Sequence, residues 1–171
     1  DPGDAPDLTG LTGEALIDAL REHYAFLGPD CDISVTEDEV RIELPEPSIQ
    51  VRERALRTYQ RAVQSGERAQ SRRAARLFEE VVETLPAYVE ARRNLAMAYL
   101  EAGEPERAKE LLIQTLRPDP QDAWAYVLLG NIAAKYEDTL ERAETYFKRA
   151  MDLAPRDVLI VTNYAGALAQ Q

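Results

Sequence analysis

Between Thr12 and Leu27, the apolar residues Leu16, Ile17, Leu20, Tyr24 and Leu27 recur at helical spacing. This predicts an amphipathic helix, ended by Gly28-Pro29. The period then changes. In "CDISVTEDEVRIELP", Ile33 and Val35, and then Val40, Ile42 and Leu44, alternate with polar neighbours around the acidic "TEDE". That pattern predicts a β-hairpin with one apolar face. A helix and one hairpin bury too little to stand alone, so this piece is expected to pack on the rest of the chain or on a partner. "PEPS" at 45–48 marks a boundary, with Ser48 a candidate N-cap. Everything after it has a helical period, broken at Gly66, Pro86, Gly103, Pro118–Pro120, the region of Glu137 and Asp138, and Pro155.

The breaks are periodic. Pro86, Pro120 and Pro155 lie 34 and 35 residues apart; so do Ala74, Ala108 and Ala143, and Phe78, Leu112 and Phe147. A unit of this length with two helices implies a solenoid in which each unit buries its apolar face against the next. One unit reads Arg92-x-x-Leu95-Ala96-x-x-Tyr99, then Ala108-x-x-x-Leu112, then Pro120. The following one reads Tyr126-x-x-Leu129-Gly130-x-x-Ala133, then Ala143-x-x-x-Phe147, then Pro155. These resemble tetratricopeptide repeats, which carry W-x₂-L-G-x₂-Y, then A-x₃-F, then P. Two departures stand out. Arg92 occupies the place of a large aromatic, and the third repeat holds one extra residue near Asp138–Glu141.

The expected fold class is therefore mainly α, a right-handed α-solenoid of antiparallel helix pairs with a small helix-plus-hairpin appendage. Residues 1–10 form a linker rich in Pro, Gly and Asp, 11–47 the acidic appendage, and 48–171 the repeats (48–86, 87–120, 121–155 and a partial 156–171). In the first repeat, Leu56, Tyr59, Gln60 and Val63 take the packing positions if the turn near Gly66 is about two residues longer than usual. The last helix, "DVLIVTNYAGALAQQ", is apolar nearly all round. It is expected to continue into a partner helix beyond Gln171 or to be covered by another chain.

Charge sharpens this picture. The net charge is −11, and residues 1–50 hold 13 Asp and Glu against 2 Arg, while residues 51–171 hold 18 of each sign. Yet Val51–Leu77 carries eight arginines and two glutamates. One expectation is that the acidic appendage folds over this arginine-rich first repeat. Phosphate tracking is a weaker alternative, since neither interleaved aromatics nor a nucleic-acid motif accompanies the arginines. No run is long and apolar enough to cross a membrane.

Chemistry is sparse. Cys31 and His23 are the single members of their types, so an intrachain disulfide and a thiolate zinc site are excluded. Acid pairs such as Glu79-Glu80 fall on outer helix faces, and Gly-rich phosphate loops and Ser/His/Asp sets are absent. The sequence therefore predicts neither an enzyme nor a cofactor or metal.

The resemblance implies a binding module instead, because the first helix of each tetratricopeptide repeat lines a concave groove that holds peptides or protein segments. Carried over residue by residue, the groove would present Arg54, Arg57 and Arg61, then Glu90, Arg93, Met97 and Leu100. Trp124, Val127, Asn131 and Lys135 would follow, then Leu159, Thr162 and Gly166. Its arginines would suit an acidic ligand through paired hydrogen bonds, and Trp124 an apolar anchor. The expected partner is a protein or peptide with acidic and apolar groups, with self-assembly or intramolecular capping as the alternative. A two-carboxylate clamp for chaperone C-termini is matched only in part, by Arg57, Arg61 and Asn94, since Trp124 and Leu128 stand where that clamp needs cations.

Overall fold

A computed structural model describes residues 6–37, 39–64, 71–137 and 139–169. The chain begins with helix α1 (Gly13–His23), a 3₁₀ turn (Ala25–Leu27) and strands β1 (Asp32–Val35) and β2 (Val40–Glu43). Seven further helices follow among the described residues: α2 (Ile49–Gln64), α3 (Ser71–Thr84), α4 (Val89–Ala102), α5 (Pro105–Leu116), α6 (Ala123–Tyr136), α7 (Leu140–Leu153) and α8 (Val158–Ala169). The periodic stretch thus folds into the pairs α2/α3, α4/α5 and α6/α7, with α8 starting a fourth. This is the mainly helical repeat architecture that the spacing predicts.

Local chemistry sets the boundaries. Ser48 Oγ accepts a hydrogen bond from Val51 N (3.4 Å) at the start of α2. Asp122 accepts from the amides of Trp124 (3.1 Å) and Ala125 (3.2 Å) at the start of α6, satisfying amides that have no partner within the helix. Pro105 occupies the first turn of α5. Gly103, at φ +81°, ends α4 while Glu104 N reaches back to the Tyr99 carbonyl (2.8 Å); a side chain there would be strained.

The core runs continuously between the helix pairs. Leu112, Leu116, Tyr126, Leu129, Ile132, Phe147 and Ile160 are wholly buried, and burying one such side chain is favourable by about 1.5–3 kcal/mol. Helices α6 and α7 approach so closely that a Cβ on Gly130 would lie 2.9 Å from the Phe147 ring. Phe147 in turn stacks on Tyr164 of α8, with centroids 5.1 Å apart. One aromatic thereby joins the third repeat to the next helix.

Two expectations about the first repeat change. Leu56 and Val63 are 39% and 54% exposed, and the buried residues of α2 are Ala55, Thr58 and Ala62. Stepping back 34 residues at a time, Tyr126 and Gly130 lead to Arg92 and Ala96, then to Thr58 and Ala62. All six are buried, so α2 keeps the common period without the two-residue offset. The error arose because Leu56 and Val63 share a helix face with Tyr59, which does pack on the core against Phe78, and an apolar stripe does not reveal how much of it meets core or solvent. The proposed longer turn itself falls in residues 65–70, outside the described residues.

The second correction concerns the appendage. Helix α1 stops at His23 and continues as the 3₁₀ turn rather than running unbroken to Leu27. The strands pair antiparallel with Ile33 opposite Ile42 and Val35 opposite Val40, so the alternating apolar residues share a face. The helix and 3₁₀ turn of the appendage rest on the second repeat rather than on the arginines of the first. Arg117 Nη1 donates to the His23 carbonyl (2.8 Å), and the Phe26 ring lies 4.9 Å from the Arg92 guanidinium carbon. Residues Leu44–Pro47 then line a cavity of about 520 Å³ with Arg52 and Leu56 of α2 and with Leu85, Pro86 and Tyr88 of the α3–α4 connection.

Candidate binding groove

The first helices of successive pairs, α4, α6 and α8, together line a cavity of about 780 Å³. Helix α6 is packed on by α7, α5 and α8 and is buried over most of its circumference. Its residues that still reach the cavity are Asn131, Ala134, Lys135 and Tyr136. Leu100 and Glu101 contribute from α4; Thr162, Asn163, Gly166 and Ala167 contribute from α8. Of the nine residues singled out as the sequence-predicted site, this cavity gathers Asn131 and Lys135. It also includes Leu100, Thr162 and Gly166, which the carry-over placed in the groove.

The polar floor is built from amides. Asn131 Nδ2 donates to Asn163 Oδ1 (3.3 Å), and Asn163 Nδ2 donates to the Leu159 carbonyl (2.8 Å). The second bond fixes the Asn163 side chain, leaving the pair to donate and accept at one place. Lys135 Nζ sits 5.1 Å from the Tyr136 ring centroid, a cation–π approach that holds the ammonium beside an apolar surface. With Glu101 opposite in sign to Lys135, the cavity has a mixed rather than a cationic lining.

The remaining predicted residues lie elsewhere or are committed to other contacts. Arg93 Nε donates to Asp122 Oδ2 at 2.8 Å, and the Asp122 side chain is wholly buried. This pair links α4 to the cap of α6, so Arg93 serves the joint between repeats. Val127 is fully buried and out of a ligand's reach, which corrects its assignment: the close packing of α6 encloses it. Trp124 is half-buried against the core, and Met97 is exposed. Arg54 lies 3.8 Å from Glu80 and Arg57 lies 3.6 Å from Glu53. Arg61 is exposed. In the 34-residue register, the equivalents of Arg93 and Met97 in α2 are Tyr59 and Val63, not Arg57 and Arg61. The three arginines therefore lie to one side of the face that continues the groove. Asn94, the third candidate for a carboxylate clamp, donates to the Tyr59 hydroxyl (2.9 Å).

Asn163 was missed. Its signal was available: an amide in a helix otherwise nearly devoid of polar side chains, "VLIVTNYAGALA". Cys31 shows no sign of nucleophilic use. It is half-buried, and burial followed by the charge of Asp32 pushes its thiol up, away from the reactive thiolate.

Residues 67–132 match the family model for the tetratricopeptide repeat. Over 96 residues the chain is 32% identical to the Protein CTR9 homolog of Arabidopsis thaliana, a match covering 53% of this chain and 8% of that protein. The chain thus spans less than a tenth of that relative's length. Repeats of this family mediate protein–protein interaction. The helix pairs, the 34-residue period and the family match agree that residues 67–132 are similar to tetratricopeptide repeats.

Proposed function

We propose that the chain is a non-catalytic interaction module that holds an extended protein segment in the groove across α4, α6 and α8. The observation that carries this reading is the Asn131–Asn163 amide pair on the floor of the 780 Å³ cavity. A side-chain amide both donates and accepts, as a peptide backbone does, so two amides side by side suit an extended chain whatever its sequence. Leu100, Ala134 and Tyr136 offer apolar contact around them, and Lys135 a positive charge for an acidic residue of the ligand. The acidic preference now rests on Lys135 in this groove, since Arg93 is engaged with Asp122.

Panning a library of short random peptides against the chain tests the reading. Selected peptides should compete with one another and weaken roughly 2- to 10-fold when Asn131→Ala or Asn163→Ala removes a hydrogen bond. Lys135→Glu should weaken the acidic peptides more than the neutral ones. Peptides that bind undiminished to all three variants would place recognition outside this groove.

A further inference from the structure

The first repeat bears a cationic face that neither the groove nor the appendage uses. Helices α2 and α3 are antiparallel, and Arg54 of α2 comes within 3.8 Å of Glu80 of α3. Beyond that pair and the Arg57–Glu53 approach (3.6 Å), residues 57–64 and 71–78 contain Arg57, Arg61, Arg72, Arg73 and Arg76 and no acidic residue. All five arginines are exposed. Arg57 and Arg61 are spaced i, i+4 on α2, and Arg72 and Arg76 likewise on α3. Each helix therefore carries a row with about 6 Å between charges.

The same chain holds a matching acidic row. Glu14, Asp18 and Glu22 follow one another at i, i+4, i+8 on α1, and all three are exposed. Within one molecule the two do not meet. The Arg117–His23 bond and the Phe26–Arg92 stacking hold α1 on the second repeat. The basic side chains of the appendage pair locally, Arg21 with Asp18 (3.5 Å) and Arg41 with Glu39 (3.4 Å). Among the described residues, no ion pair joins residues 6–47 to α2 or α3.

We infer that the arginine rows of one copy receive the acidic face of α1 from a second copy, an intermolecular contact between charges the fold holds apart. The two surfaces differ, so the contact is head-to-tail and propagates beyond a dimer. Exposed ion pairs are individually weak, so the association is low in affinity and sensitive to salt. The inference does not depend on what the groove binds.

Sedimentation velocity on the full chain, across a concentration series into the high micromolar range, tests it. Association should be present at about 0.01 M salt and lost at about 1 M, as the Debye length shrinks from about 30 Å to about 3 Å. One variant carries Arg72→Glu with Arg76→Glu; another carries Glu14→Lys, Asp18→Lys and Glu22→Lys. These positions are exposed, and circular dichroism checks that each variant keeps its helices. Each alone should associate roughly tenfold or more weakly than the natural chain. Mixed together they should associate again, because each then offers the charge the other lacks. A chain that stays monomeric at low salt, or a mixture no more associated than its parts, overturns the proposal. So does a short single-stranded DNA that binds the arginine face of a monomeric chain and is lost on the same arginine swap.

Discussion

The second and third repeats place different chemistry in the same position. Tyr126 of the third is wholly buried and packs near Tyr146, with centroids 6.4 Å apart. Arg92 of the second, 34 residues earlier, is equally enclosed, at 3% exposure. Its guanidinium donates from Nε to Thr115 Oγ1 (3.0 Å), from Nη1 to the Pro86 carbonyl (3.0 Å) and from Nη2 to Gln114 Oε1 (3.2 Å). Thr115 is itself a departure: the equivalent residues of the other repeats are Val81 and Ala150, both buried and apolar. Thr115 passes its own proton to the Leu111 carbonyl (2.8 Å) and turns a lone pair to Arg92. The second and third repeats both place a large flat side chain here, where the first holds Thr58. A charged one is tolerated because acceptors surround the guanidinium and because Phe26 of the appendage covers its face. Burial lowers the Arg92 pKa to about 10, which leaves it charged at neutral pH. The third repeat fills this position with a buried aromatic; the second also uses it to hold the N-terminal piece.

The largest test of this difference reverses the charge. Arg92→Glu leaves a carboxylate facing three acceptors and should cost about 3–5 kcal/mol of stability in urea unfolding, the range for an uncompensated buried charge. Copying the third repeat, with Arg92→Tyr and Thr115→Ala together, should leave solenoid stability within about 1.5 kcal/mol of the parent. The same double variant should release Phe26. Protease cleavage of the N-terminal piece would then rise while the helix pairs stay intact. Cleavage unchanged in that variant would mean that Arg92 does not hold the appendage.

Next comes the joint between the two repeats. Asp122→Ala removes both the cap of α6 and the partner of Arg93. It should cost about 2–3 kcal/mol, more than a cap alone, because a buried pair is broken as well. A double-mutant cycle with Arg93→Met separates the two contributions.

These cases show what the sequence could reveal. Spacing alone located the pairs α4/α5 and α6/α7, because prolines and small residues mark where helices must end or touch. It misassigned the face of α2, since a terminal helix has one neighbour fewer and its apolar stripe need not be buried. It flagged Arg92 as a departure without indicating what compensates it; Thr115, 23 residues away, becomes meaningful only once α5 lies against α4. It also placed the appendage by net charge on the first repeat, whereas one aromatic and one carbonyl decide the contact. Charge acts at long range and weakly on an exposed surface, while the desolvated guanidinium of Arg92 acts at close range. Asn131 was legible as a residue on the face where the cavity lies, but its companion Asn163 lay in a helix that read as nearly all apolar.

A smaller effect separates the small-residue positions Ala96 and Gly130. Gly130→Ala sets a methyl 2.9 Å from the Phe147 ring. Overpacking of about 1–3 kcal/mol is then set against a gain in helix propensity of about 1 kcal/mol, for a net loss of up to about 2 kcal/mol. Ala96→Gly in the second repeat should lose only about 0.5–1 kcal/mol, from backbone entropy. If Gly130→Ala proved more stable than the parent, the close approach of α6 and α7 would have been relieved by a shift of Phe147.

The smallest effect is confined to the appendage and depends on pH. His23 lies at the end of α1 with its Nε2 buried and, among the described residues, without a hydrogen-bond partner. Burial first, and then the positive charge of Arg117, depress its pKa below the usual 6.5. Arg117 holds the His23 carbonyl, and Arg92 lies beyond the Phe26 ring. A proton on His23 would therefore join two cations in the same contact. Because the released piece binds that proton more readily than the docked one, docking is fully favoured above about pH 6.5 and weakens as pH falls below it. Hydrogen exchange in α1, corrected for the intrinsic dependence on pH, should thus show more frequent opening near pH 5 than near pH 7.5. Exchange in α6 and α7 should show no such added change, since that pair contains no histidine. His23→Gln should flatten the dependence in α1; a dependence that survived the substitution would have to arise from the carboxylates of the appendage, and the contact at Arg117 would not be its cause.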